Sequence, residues 1–160
     1  IGHFPLLNNN QICHCGKMGC LETGASGSAV HRIFLEKLKE GRTSMLSDKF
    51  NRGETIHIEE IIDAVNEEDV LAIEVVEEIG TTLGRAIAGL INLFNPELIV
   101  IGGNVAITRE YLLLPIKSAI QKHSLNIINS DTTIKYSKLG KKAGAIGSCM
   151  LSRSKLLGLL

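Results

Sequence analysis

A chain of 160 residues can bury the core of one domain, and 44% hydrophobic against 21% charged residues is the balance of an ordinary globular protein. Seventeen basic residues match seventeen acidic ones, so no global field favours nucleic acid or an anionic membrane surface. The most apolar stretch, Leu83 to Ile107, is interrupted by Arg85, Asn92, Asn95, Pro96 and Glu97, which excludes a bilayer span and makes the cytoplasm the default expectation.

Residues 1–20 read as irregular, with an Asn run and a glycine-punctuated cysteine cluster. A helix is predicted from Leu21 to Lys39, closed by Gly41. "GRTSMLSDKFNRGET" reads as a polar connection, and Ile58, Ile61, Ile62 and Val65 mark one face of a short amphipathic helix. Asp69 suits the N-cap of a long helix to Phe94, with Val76, Ile79, Leu83, Ile87, Leu90, Ile91 and Phe94 as its apolar stripe. Gly80, Gly84 and Gly89 inside that helix predict close packing against a neighbour, since each costs roughly 1 kcal/mol relative to Ala. Asn95-Pro96 ends the helix, and Leu98 to Ile101 reads as a short buried strand. A helix over Arg109 to His123 carries Pro115 as a kink or as its true start. "TTIKYS" reads as a second strand and Ala143 to Leu157 as a last helix. Helices alternating with strands predict an α/β domain in which helices cover a sheet.

Three of the four cysteines fall in the pattern Cys13-x-Cys15-x4-Cys20, with Gly16 and Gly19 between the second and third. Glycines permit the sharp turns that gather closely spaced thiolates around one centre. Three thiolates and one imidazole make a tetrahedral shell suited to zinc. The imidazole is His3 or His14. His14, between two ligating cysteines, tends to point away, whereas His3 can return through an ordered loop, so His3 is preferred. Unrelated thiols, a disulfide with a spare thiol and a redox pair are the competing explanations; a cytosolic setting and a Cys-x-Cys spacing weigh against the last two. Four protein ligands leave no open position for a reactive water, so such a metal organises the loop.

"GH" at 2–3, "CHCGKMGCLE" at 13–22, "NLFNPELIVIGG" at 92–103 and "AGAIG" at 143–147 together resemble the ROK family of sugar-responsive transcriptional repressors and sugar kinases. The resemblance implies an α/β fold, the carboxy-terminal lobe of an actin-like ATPase (ribonuclease H-like) fold with a zinc-binding loop. It implies one carboxy-terminal portion over 1–160, with the zinc loop at 1–20 and the final helix, 143–157, crossing to an amino-terminal lobe. The opening on Ile-Gly-His, without an initiating Met, fits a portion of a longer protein.

Carried over residue by residue, the family pattern makes His3, Cys13, Cys15 and Cys20 the ligands of a structural zinc. It also makes His3 and Glu22 the side chains that hydrogen-bond sugar hydroxyls. Metal on one ring nitrogen of His3 would leave the other N–H as an oriented donor, and Glu22 would accept from vicinal hydroxyls. For Glu22 alone, a carboxylate favoured by a helix N-terminus is the competing reading. Gly102 and Gly103 match the region that contacts the adenosine of ATP in the family's kinases; a tight turn is the alternative.

The family's catalytic aspartate, phosphate loop and helix-turn-helix match nothing in these residues, so no catalytic residue is named. Two functions remain. One is the effector-binding part of a repressor that senses a sugar or sugar phosphate and meets DNA through an amino-terminal domain. The other is part of an ATP-dependent sugar kinase. "GRTSML" and Asn95-Pro96, where the kinases more often carry Asp-Pro, favour the repressor. Apolar Ile146, Met150, Leu151, Leu156 and Leu157 on the last helix need burial, which predicts a dock on the same domain or a homo-oligomer. No membrane partner is expected.

Overall fold

Ser26 begins the first long element. Its Oγ accepts from the Ala29 N–H at 3.2 Å and caps α1 (Gly27–Lys39). In this computed structural model, which describes residues 1–159, the predicted start at Leu21 is therefore displaced. Leu21–Thr23 form a separate 3-10 turn, and Gly24 to Ser26 break away before the α-helix sets in. The polar connection is also more ordered than its composition suggests. It contains a single turn and a half, α2 (Ser47–Asn51), joined to α3 (Ile58–Asn66) by the Lys49–Glu60 ion pair.

Asp69 caps α4 (Val70–Phe94) as expected, its Oδ1 accepting from the Ala72 N–H at 2.8 Å. Asn95, at φ 42°, closes the helix in the left-handed conformation that Asn tolerates. The predicted stripe is buried at Val76, Ile79, Ile87 and Ile91, but Phe94 is exposed. The buried face is also wider than the stripe and takes in Leu71, Ala72, Val75 and Ala88. Helices α1 and α3 pack on one side of α4 and α5 (Glu110–His123) on another, enclosing a core around Phe34, Ile61, Val65, Leu71, Ile79 and Ile116.

Two of the three glycines explain the α4–α5 approach. A Cβ at Gly80 would lie 2.9 Å from the Leu112 carbonyl oxygen; one at Gly84 would lie 2.6 Å from that of Ile116 and 2.7 Å from Ala119 Cβ. Gly89 has nothing within 4 Å and serves no such approach. Pro115 neither starts nor ends α5, which runs through it with the ring facing Gly80.

Strands β1 (Leu98–Ile101) and β2 (Thr133–Tyr136) pair in parallel, Leu98 opposite Thr133 and Ile101 opposite Tyr136. The crossover contains a 3-10 turn (Asn104–Thr108), α5 and the short α6 (Asn126–Asn129). The expectation that β1 is buried is corrected. Leu98 and Val100 are 50% and 55% exposed, and within the strand only Ile101 is buried. Leu98 and Val100 share one face of the strand, and among the described residues no layer covers that face.

The last helix, α7 (Ala143–Leu156), has no buried residue, and Ile146, Met150, Leu151, Leu156 and Leu157 are all exposed. It does not dock on its own domain. No helix among the described residues is long and apolar enough to cross a membrane.

The glycine contacts separate two otherwise similar substitutions. Gly84→Ala should destabilise the chain by about 1–3 kcal/mol through overpacking against α5. Gly89→Ala, in open space on the same helix, should stabilise it by about 0.5–1 kcal/mol. Urea denaturation of both variants checks the contrast.

Candidate metal centre and ligand clefts

The first 22 residues fold back on themselves through their backbone. Glu22 N–H donates to Gly2 O at 2.7 Å, Leu21 N–H to Phe4 O at 2.9 Å, and Pro5 faces Cys20 in an antiparallel bridge. Inside this arch, Cys13 N–H donates to Lys17 O at 2.8 Å, and Ile12 pairs with Met18. The turns rely on Gly16 (φ +81°) and Gly19 (φ +77°), as the cysteine spacing predicted. Gly19 is also crowded, since a Cβ there would lie 2.6 Å from Leu7 O. The Asn run contributes through Asn9, whose Nδ2 donates to Thr23 Oγ1 at 3.2 Å and ties the arch to the following 3-10 turn.

This backbone brings His3, Cys13, Cys15 and Cys20 together, with one donor atom from each lying within 4.8 Å of the others. His14 is exposed and stands outside the group. His3 Nδ1 lies 3.4 Å from Cys13 Sγ, and Cys15 Sγ lies 3.6 Å from Cys20 Sγ. A tetrahedral ion with sulfur at about 2.3 Å and nitrogen at about 2.0 Å has sulfur–sulfur edges of about 3.8 Å and nitrogen–sulfur edges of about 3.5 Å. The observed separations match those edges, and the cluster is compatible with a metal site.

The thiols differ in their surroundings. Cys15 is exposed, and the Lys17 N–H beside its sulfur, followed by Cys20, lowers its pKa. Burial, followed by the neighbouring Cys15 and Cys13, pushes the Cys20 thiol up to about 11. Without a cation, a second and third thiolate here are opposed by burial and by each other. A divalent ion removes that opposition.

Glu22 belongs to the 3-10 turn Leu21–Thr23, five residues before α1 begins, so it is not a first-turn carboxylate of that helix. Its Oε2 covers Gly2, where a Cβ would come within 2.6 Å. The Glu22–Gly2 backbone bridge thus sets Glu22 beside His3, the next residue. Glu22 also lines a recess of about 130 Å³ with Cys13, His14 and Arg32.

Gly102 and Gly103 lie elsewhere. With Ser26, Ser28 and His31 of the α1 start they line a larger cleft of about 570 Å³, floored by Ile79, Leu83 and Leu112. Gly103 takes φ +98° at the head of the 3-10 turn. Neither His3 nor Glu22 lines this cleft. The sequence reading missed Ser26, Ser28 and His31; the capping pattern at Ser26 was the available signal. His31 Nε2 lies 2.8 Å from Ile56 O, which joins α1 to the residues before α3.

The ROK family model matches residues 1–155. The chain belongs to the ROK family. It is 35% identical to the glucokinase of Halalkalibacterium halodurans over 156 residues, covering 97% of this chain and 47% of that protein. It is likewise 35% identical to the DNA-binding transcriptional dual regulator NagC of Escherichia coli over 160 residues, covering 100% of this chain and 38% of the regulator. Among solved structures, a ROK family transcriptional regulator homologous to E. coli Mlc superposes with a TM-score of 0.79 at 37% identity, covering 89% of this chain and 35% of that one. The chain therefore spans less than half the length of these relatives. ROK repressors and sugar kinases alike are its structural neighbours, and its mixed α/β architecture belongs with their actin-like ATPase fold.

The glycines of the arch give a direct test of its construction. Gly16→Ala adds a side chain to open space at positive φ and should cost about 1–2 kcal/mol. Gly19→Ala adds the clash with Leu7 O to the same penalty and should cost more. Chemical denaturation of both variants would show the order.

Proposed function

We propose that this chain is the sugar-sensing, effector-binding part of a ROK-type transcriptional repressor, built around a structural zinc held by His3, Cys13, Cys15 and Cys20. The observation that carries the reading is the join between the two halves of the site. The side chain whose Nδ1 faces the thiol cluster, His3, follows Gly2, and Gly2 is the backbone partner of Glu22.

When bound, zinc supplies a fixed positive centre that holds the His3 ring and the thiolates in place. With Nδ1 on the cluster side, Nε2 carries the outward N–H, in one tautomer and one orientation, for a sugar hydroxyl. The Glu22 carboxylate accepts from neighbouring hydroxyls. A hexose, an amino sugar or a phosphate of either fits this donor and acceptor pair. All four ligand positions of the metal are taken by protein, so no reacting water is placed there.

The 37% identity to a ROK transcriptional regulator supports the repressor branch, as does full-chain alignment to NagC. In that reading DNA is met by an amino-terminal domain and the sugar is the signal. The second reading, part of an ATP-dependent sugar kinase, is supported by the equal identity to a glucokinase and by the cleft at Gly102 and Gly103, where ATP would bind. In either branch the final helix, α7, crosses to an amino-terminal lobe or packs into a second copy; its exposed apolar residues support both.

Two measurements test this function. Elemental analysis of reduced protein purified without added metal should give one zinc per chain; a folded sample without zinc removes the metal from the reading. On the full-length protein, Glu22→Ala should weaken binding of the cognate sugar by about 1–3 kcal/mol, as expected when a buried hydrogen-bonding group loses its partner. Calorimetry over glucose, N-acetylglucosamine and their 6-phosphates checks it, and unchanged affinity would free Glu22 of that role. Sugar-dependent ATP turnover by the full-length protein, without sugar-dependent DNA release, would transfer the assignment to the kinase.

A further inference from the structure

The three thiols of the cluster are not equally placed. Cys13 and Cys20 are buried while Cys15 is exposed. Cys13 Sγ lies 3.4 Å from His3 Nδ1 and also neighbours both other thiols, while the exposed Cys15 Sγ lies 3.6 Å from Cys20 Sγ. The reachable sulfur is thus already beside a second sulfur. Joining them to a bond of about 2.05 Å needs an approach of about 1.5 Å. Cys15 is exposed, and a Cβ built on the adjacent Gly16, at positive φ, would meet nothing within 4 Å, so solvent rather than packed side chains borders that side of the turn.

We propose that Cys15 is a site of reversible oxidation by a hydroperoxide, and that its bond to Cys20 expels the metal and releases His3. The proposal rests on the metal reading given above. In the first step the Cys15 sulfur gives an electron pair to one peroxide oxygen. The O–O bond breaks, Cys15 becomes a sulfenic acid and hydroxide leaves. In the second step Cys20 sulfur attacks Cys15 sulfur, the S–O bond breaks, and a second hydroxide departs as the disulfide forms. Two thiolates and one hydrogen peroxide have become one disulfide and two hydroxides. A dithiol returns the two electrons and restores both thiols.

The consequence reaches the ligand site directly. Two of three sulfur ligands are consumed together, and Cys13 with His3 is too small a donor set to retain zinc. The His3 ring then loses what fixed its tautomer and direction. Oxidation would therefore lower sugar affinity without any change at Glu22.

The experiment uses the full-length, zinc-loaded protein carrying Cys149→Ser, which removes an exposed thiol on α7 outside the cluster. Hydrogen peroxide is added in small excess and zinc is followed with a chromophoric chelator. The protein is then digested with trypsin, which cuts after Lys17 and so separates Cys13 and Cys15 from Cys20. The expected result is release of one zinc per chain and a disulfide joining the peptide ending at Lys17 to the peptide Met18–Arg32. Fragmentation between Cys13 and Cys15 should place the bond on Cys15, and dithiothreitol with added zinc should reverse both changes. Zinc absent from the reduced sample before peroxide is added overturns the metal reading and the proposal together. Zinc present and retained after peroxide, release with the bond on Cys13, or oxidation only to sulfinic or sulfonic acid overturns the proposal and leaves the metal reading standing.

Discussion

The architecture depends on how closely α4 and α5 approach. Main chain of α5 occupies the space that side chains at Gly80 and Gly84 would fill, so the two helices touch almost backbone to backbone. Each glycine costs helix stability locally and returns it as close contact over a long interface. With α5 fixed on α4, the strand before it and the strand after it are brought into parallel register. On the other side α1 and α3 settle over the remaining apolar face of α4, with ion pairs such as Lys37–Glu78 at the rim. Such exposed pairs contribute at most about 1 kcal/mol each, so packing and not charge sets the arrangement.

The arch of residues 1–22 is a different kind of structure. It meets the helical body at several points: Leu7 Cδ1 reaches to within 2.5 Å of where a Cβ on Gly24 would sit, beside Thr82 of α4, and Ile1, Phe4, Leu6 and Leu21 line a recess with Leu90 and Phe94. Within the arch, order comes from backbone pairing, two positive-φ glycines and the gathered donor atoms. Its buried apolar residues are few, Cys13, Cys20 and Leu21, while Phe4, Leu6, Ile12 and Met18 are exposed. Burial alone contributes little against its conformational entropy, so the donor cluster matters to its shape as much as to its chemistry.

Much of this was legible in the residues. Asp69 as a cap, Asn95-Pro96 as a stop and the period of the α4 stripe are local signals, and each has one physical meaning. The cysteine spacing with its two glycines likewise identified the four donors that meet, including the choice of His3 over His14. What was not legible depended on distant partners. Leu21 to Ser26 has apolar and acidic residues compatible with a helix, yet it closes in i→i+3 bonds, Gly24 N–H to Leu21 O, and the α-helix starts only where Ser26 caps it. The apolar run Leu98 to Ile101 reads as buried on both faces, but burial requires covering layers, and these residues supply one. Gly80, Gly84 and Gly89 are indistinguishable in sequence; only the position of α5 tells which two are crowded. The cleft at Gly102 and Gly103 likewise needed the fold to bring the α1 start against it.

The open side of β1 has a practical consequence. A strand offers N–H and C=O groups on both of its edges, and β1 satisfies only one edge through β2. Among the described residues the other is unpaired, next to exposed Leu98 and Val100, without a proline or a lysine in the strand to discourage approach. Such an edge accepts any extended segment that reaches it. An added strand of the same sheet would satisfy it, and so would the same edge of another molecule at high concentration. Solubility, before thermal stability, is then the property that limits handling of these 160 residues by themselves.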